Sequence, residues 1–230
     1  MRIIEWNIRQ GGGRRTSAII DALLTHKPDV VVLTEFRIND SGQKVQVALS
    51  NAGLSSQLTT PASSRVNSVL LAAKCPLNRL TPPLGNELHR HVVAECSGLC
   101  LFALYFAQNE LKRPLFNALL SLPPQYLQTA TILLGDFNTG LHSMDEAGAT
   151  FACANAFQDL LNAGWTDAWR HHHGPAREYT WHSSVNGFRI DHLLASPAAL
   201  ASLPNVCYSH GERCPELSDH SMLIAERETK

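Results

Sequence analysis

Five apolar runs in this chain break off in groups that bind cations or carry protons. Asn7 closes IIEWN, Glu35 closes VVVLTE, Asp136 and Asn138 follow TILLG, Asp191 and His192 interrupt FRIDHLL, and Asp219 and His220 interrupt ELSDHSML. Singly, each has an ordinary explanation, because Asn and Asp cap helices or close turns and Glu35 has Arg37 to pair with. Together they are hard to explain as caps, since buried carboxylates are costly without a cation or a hydrogen-bond partner. The expected chemistry is a joint site of oxygen donors and imidazole gathered around a cation. Two other uses fail. A calcium loop opening at Asp136 would need an oxygen ligand where Gly140 stands and a Glu where Ala147 stands. A Ser-His-Asp hydrolase built on His220 and Asp191 would need a nucleophile elbow, and no G-x-S-x-G occurs.

Strands must carry these groups. Strand patterns run over 2–8, 30–34, 68–73, 92–95, 101–105, 132–134, 190–195 and 222–225, and amphipathic helical patterns over 16–25, 43–52, 111–120 and 152–162. This is an α/β chain. Consecutive strands without helices between Ser68 and Tyr105 argue against a purely parallel sheet and for two mixed sheets packed face to face. The halves 1–108 and 109–230 each hold a helix, strands and a polar strand tip, which suggests a pseudo-twofold sandwich.

At 230 residues, with 44% hydrophobic and 17% charged side chains, the chain is expected to form one globular domain over 1–230. No apolar run approaches the roughly 20 residues of a membrane span, and the N-terminus lacks the zones of a secretory signal, so a cytoplasmic protein away from membranes is expected. Six scattered cysteines without a C-x-x-C pair suggest reduced thiols and no zinc. A formal net charge of -1 argues against nucleic-acid binding by overall charge but leaves room for a local basic groove. QGGGRR, 10–15, lacks the third glycine of a nucleotide loop and reads as a turn, and His171 to His173 read as a polar helix end.

WNIR, LTEFR, LYFAQN, LLGDFNTG, YTWHSSVNGFRIDHLLAS and LSDHSML, taken in this order, resemble the endonuclease/exonuclease/phosphatase superfamily over nearly the whole chain, nearest in motifs to the exonuclease III and apurinic endonuclease branch. The resemblance implies a four-layer α/β sandwich, two packed mixed β-sheets flanked by helices. It makes Glu35 the principal metal ligand, assisted by Asn7 and Asp219, a hard oxygen set suited to Mg²⁺ or Mn²⁺. Asp136 would activate the attacking water, Asn138 would hold that water or a phosphate oxygen, and His220 would contact the phosphate with Asp191 fixing its ring. Tyr105 matches a phosphate-contacting tyrosine. LYFAQN has one more residue between Tyr and Asn than the usual pattern and lacks its Pro, which makes Asn109 a candidate contact.

The implied activity is metal-dependent hydrolysis of phosphate esters, with DNA as the leading substrate through abasic or 3′-end processing in DNA repair by a monomer. A small-molecule phosphoesterase of the same superfamily and an inert binding module are the alternatives. Trp181, Phe188 and Ile190 stand where the branch builds an apolar pocket, although core packing explains them equally well. Arg9, Arg37 and Arg189, with Arg14 and Arg15, are the expected local cations for DNA. Thr34 and Arg9 depart from the branch, which has Gln before the metal-binding Glu and Asn or Asp at the place of Arg9.

Overall fold

The computed structural model describes residues 1–213 and 216–228. Its first part runs β1 (Arg2–Asn7), α1 (Thr16–Thr25), β2 (Val30–Phe36), α2 (Asp40–Asn51), β3 (Ser56–Thr59), β4 (Ser68–Ala73), β5 (Asn78–Leu80), β6 (His91–Cys96) and β7 (Leu99–Tyr105). Next come α3 (Arg113–Leu120), α4 (Gln125–Gln128), β8 (Thr131–Asp136), α5 (Ala154–Asn162), β9 (Thr166–Asp167), α6 (Ala168–His173) and the short strands β10 (Trp181–His182) and β11 (Gly187–Phe188). The chain closes with β12 (Asp191–Ala195), α7 (Pro197–Leu200), β13 (Asn205–Ser209) and β14 (Met222–Glu226).

The strands form two six-stranded sheets, ordered β13-β14-β1-β2-β4-β3 and β5-β6-β7-β8-β12-β9, with β10 and β11 as a separate hairpin. Each sheet has one parallel pair, β1 with β2 and β7 with β8, and antiparallel pairs elsewhere. Read from β13 and from β5, the order of parallel and antiparallel pairings is the same. The expected pseudo-twofold is therefore present in the sheets, but its division does not fall near residue 108. The second sheet takes its strands from 78–195, and β13 and β14 return to the first.

Side-chain alternation builds the layers. In β1, Ile4 and Trp6 face outward against Ile19 and Leu23 of α1 and Val45 and Leu49 of α2, whereas Ile3 faces the other sheet. In the second sheet, Phe102, Leu104, Leu133 and Leu194 face Leu115 and Phe116 of α3 and Phe157 and Leu160 of α5. Between the sheets lie Val32, Leu71, Leu101, Leu134, Leu193 and Leu223. The result is a four-layer α/β sandwich.

Two expectations need correction. α2 starts three residues earlier than its apolar period suggests, because Asn39 caps it by accepting from the Gly42 N–H at 3.0 Å. Reduced thiols were expected throughout, yet Cys75 and Cys96 form a disulfide that joins the end of β4 in one sheet to the end of β6 in the other. Cys100, Cys153 and Cys207 are free, and Cys214 lies outside the described residues.

Candidate active site

The polar strand tips meet at one edge of the sandwich. Asn7 ends β1, Tyr105 ends β7, Asp136 ends β8 and Asp191 begins β12, where it pairs in register with Asp136. Glu35 reaches the same edge through a β-bulge: between Leu33 and Phe36 the pairing of β2 with β4 slips by one residue, and Glu35 takes a φ of 53°. Bulges of this kind re-aim a side chain beside a site. Gly135 allows β8 to lie close against β7, since its φ is 154° and a Cβ there would sit 1.8 Å from the Leu104 carbonyl oxygen.

Three hydrogen bonds at this edge cross from one sheet to the other. Asn7 Nδ2 donates to Asp136 Oδ2 at 2.9 Å, the Tyr105 hydroxyl reaches Glu35 Oε1 at 3.4 Å, and His220 Nδ1 lies 2.9 and 3.1 Å from the two Asp191 oxygens. Asn138, in the left-handed region at φ 51°, turns back onto Asp136, donating its backbone N–H to Oδ1 at 2.8 Å and Nδ2 to Oδ2 at 3.2 Å. The segment carrying His220 is fixed to the first sheet by Trp6 Nε1, which donates to the His220 carbonyl at 3.0 Å, and by Ser218 Oγ, which donates to the Asn7 carbonyl at 2.5 Å.

Electrostatics divide the two catalytic-type groups. Burial, together with the Asp191 charge, pushes the Asp136 carboxyl up to about 7. Burial opposes an imidazolium at His220, but the charge and hydrogen bond of Asp191, with Asp136 and Asp219 beyond, raise it to about 10. Asp136, Asp191 and His220 are close enough to hold an ion among them. Because His220 Nδ1 is already committed to Asp191, the pair is better described as an oriented imidazolium than as part of a metal cage.

A cavity of about 540 Å³ opens over these groups, bordered by Glu35, Asp136, Asn138, Asp219 and His220, by Arg9 and Asn109, and by Trp181, Phe188 and Ile190. Trp181 packs on Phe188 with ring centroids 5.7 Å apart and donates through Nε1 to Asp219 Oδ2 at 3.1 Å. Asn7 and Asp191 are buried just behind the wall, and Tyr105 is partly buried. Arg37 does not border the cavity and donates to Asn67 Oδ1 at 2.8 Å.

Arg189 is a correction. Expected as a contact for substrate, it is fully buried, pairing with Asp145 at 2.8 Å and Asp167 at 2.5 Å. Its work is to hold the 139–148 loop and β9 onto β12, with Arg170 adding a second pairing to Asp145 at 2.5 Å. Arg15 likewise serves the fold, donating to the carbonyls of Leu217, Ile8 and Arg9. The QGGG turn is a run of positive φ from Arg9 to Gly13, and the Gln10 N–H donates to Glu35 Oε2 at 2.7 Å.

Sequence reasoning missed three residues here. Phe151 borders the cavity and meets Phe188 at 5.5 Å, presented by a loop that the buried Glu146 pins through the N–H groups of Thr150 and Phe151. Lys112 borders it beside Asn138. Glu5 is fully buried behind it. Burial and the charges of Asp191 and Asp136 hold its carboxyl well above the usual range. An aromatic beyond a loop, a lone lysine and one acidic residue inside a strand gave no periodic signal.

No curated protein sequence matches this chain. Among solved structures, the 3′ phosphatase NExo from Neisseria, determined with a product DNA hairpin, is 25% identical with a TM-score of 0.85, and the match covers 99% of both chains. An AP endonuclease from Archaeoglobus fulgidus is 19% identical with a TM-score of 0.85, again over 99% of both chains. The 3′-5′ exonuclease NExo from Neisseria meningitidis is 24% identical with a TM-score of 0.83, over 99% of this chain and 100% of that one. The last two show likeness of fold. The sequence model of the Endonuclease/Exonuclease/phosphatase family matches residues 4–220, and this chain belongs to that family.

Proposed function

We propose that the chain, acting as one domain, is a divalent-cation-dependent hydrolase of phosphate esters, and that DNA supplies the ester at abasic sites or 3′ ends. The observation that carries this reading is the pairing of a buried Asp136, held by Asn7 and Asn138, with an imidazolium held by Asp191 across the same cavity. Asp136 takes a proton from the attacking water, and Asn138 keeps the carboxylate aimed. His220 keeps its proton and meets charge that develops on the nonbridging oxygens. Tyr105, whose proton affinity burial and Glu35 raise, stays a neutral donor beside them.

The donor set fits a hard divalent cation. Glu35, Asp136 and Asp219 face one cavity, and the Asp136 carboxyl is raised by its burial and by the Asp191 charge beside it, both of which a bound cation would offset. Glu35, Asn7 and Asp219 would hold Mg²⁺ or Mn²⁺. Bound there, the ion would supply positive charge for the phosphoryl and leaving oxygens. For DNA, support comes from the Neisseria 3′ phosphatase at 25% identity, and from Arg9 beside the aromatic wall of Trp181 and Phe188. A formal net charge of -1 favours a second reading, a small phosphoester held by the same groups.

The test is a panel of abasic duplex, 3′-phosphate duplex, single-stranded DNA, RNA and small phosphoesters at one Mg²⁺ concentration, with and without EDTA. DNA turnover is expected to lead, to vanish in chelator and to fall as salt rises. Asp136→Asn should lose about a thousandfold in kcat while the chain still folds. Turnover that persists in EDTA removes the cation from the reading, and small esters outpacing DNA select the second.

A further inference from the structure

We propose that Lys112 is a substrate-contacting cation of this cavity that takes a nonbridging oxygen of a terminal phosphate monoester and so weights the site toward a phosphate at a strand end over an internal diester. The inference rests on the phosphoesterase reading above and extends it to a choice between two ester classes.

Lys112 is the last residue of a 3₁₀ turn, Asn109–Lys112, that leads into α3. Only 2% of the residue is exposed, yet it borders the cavity together with Asp136, Asn138 and His220. Its Nζ donates to the Asn138 carbonyl oxygen, and among the described residues this is its one hydrogen-bond acceptor. An ammonium carries three N–H donors, and leaving donors of a buried charge unmatched is costly. A tether for the Asn138 turn would need only one neutral donor. A buried cation with donors to spare beside a phosphoryl site points instead to an anion that completes its coordination.

Charge decides which anion. Glu35, Asp136 and Asp219 face the cavity against Arg9 and Lys112, with His220 beside them. An internal diester brings one negative charge, whereas a monoester brings between about 1.5 and 2 near neutral pH. The extra charge of the monoester meets a nearly solvent-free ammonium, where attraction is little screened. Removing Lys112 should therefore harm the monoester more than the diester.

The experiment compares wild type, K112M and K112R, all with Mg²⁺, on matched duplexes bearing either a 3′-phosphate or an internal abasic site. Binding of inorganic phosphate is titrated by calorimetry alongside. K112M is expected to lose about tenfold to a hundredfold in kcat/KM on the 3′-phosphate and about threefold on the internal site. Its affinity for inorganic phosphate should drop about tenfold, and K112R should recover most of that affinity. If K112M does not fold, K112Q keeps a donor for the Asn138 carbonyl without the charge and takes its place. Equal losses on both duplexes, or phosphate binding that is absent in wild type or unchanged in the variant, would overturn the proposal. Should wild type turn over neither duplex, the phosphoesterase reading fails on its own, and the phosphate titration still decides whether Lys112 binds the anion.

Discussion

Asp136 and His220 both bind protons more tightly in the folded chain than free side chains do, and this has a sign that can be measured. Asp136 is raised from 3.8 to about 7, so the stability it contributes is complete below its ordinary value and lost as pH rises through about 7. His220 is raised from 6.5 to about 10, so its contribution is complete below 6.5 and lost as pH rises through about 10. In EDTA, the melting temperature of wild type should fall steadily between about pH 4 and 10, through Asp136 in the lower part and His220 in the upper. His220→Ala should flatten the upper part of that fall. A melting temperature that climbs over the same interval would contradict the orientation of the pair. These residues were legible because each interrupts an apolar run, where a polar group needs a reason. Lys112 was not, since a single lysine near an amphipathic helix looks like any solvated side chain until its burial is seen.

At the scale of elements, the strongly periodic pieces were readable and the short or weakly patterned ones were not. α1 runs over the residues its apolar period indicates, and the inner strands follow their β-branched runs. β10 and β11 have two residues each and β13 is only partly buried, so neither offers an alternation to detect. Arg189 shows why adjacency misleads. It stands two residues before Asp191, but the loop after β8 and the start of α6 bring Asp145 and Asp167 onto it, and those partners lie 44 and 22 residues away in sequence. Arg189→Met would leave the buried Asp167 without its arginine and Asp145 with Arg170 alone, and should cost about 3 to 5 kcal/mol in denaturant unfolding. A variant of normal stability that had lost only affinity for DNA would restore the substrate-contact role instead.

For the whole molecule, the family resemblance carried the four layers, and residue patterns alone carried the two mixed sheets. The disulfide escaped because Cys75 and Cys96 are 21 residues apart and meet only when β4 and β6 are placed in facing sheets. Closing a loop of that length stabilises by about 3 kcal/mol in the chain-entropy account. Cys96→Ser, or treatment with a thiol reductant, should therefore lower the denaturant midpoint by a corresponding amount, whereas Cys207→Ser should not.

The position of that disulfide has a mechanical consequence. Ser68, at the start of β4, pairs with Phe36 beside the edge that carries the candidate site, and His91, at the start of β6, pairs with Leu104 near Tyr105. Cys75 and Cys96 therefore lie at the opposite edge. The sandwich is stapled like a clothes peg at its back, while its jaws meet through Asn7–Asp136, Tyr105–Glu35 and His220–Asp191. The bonds that orient the candidate-site groups are also the latch, so opening the gape and disorienting the groups within it are the same movement.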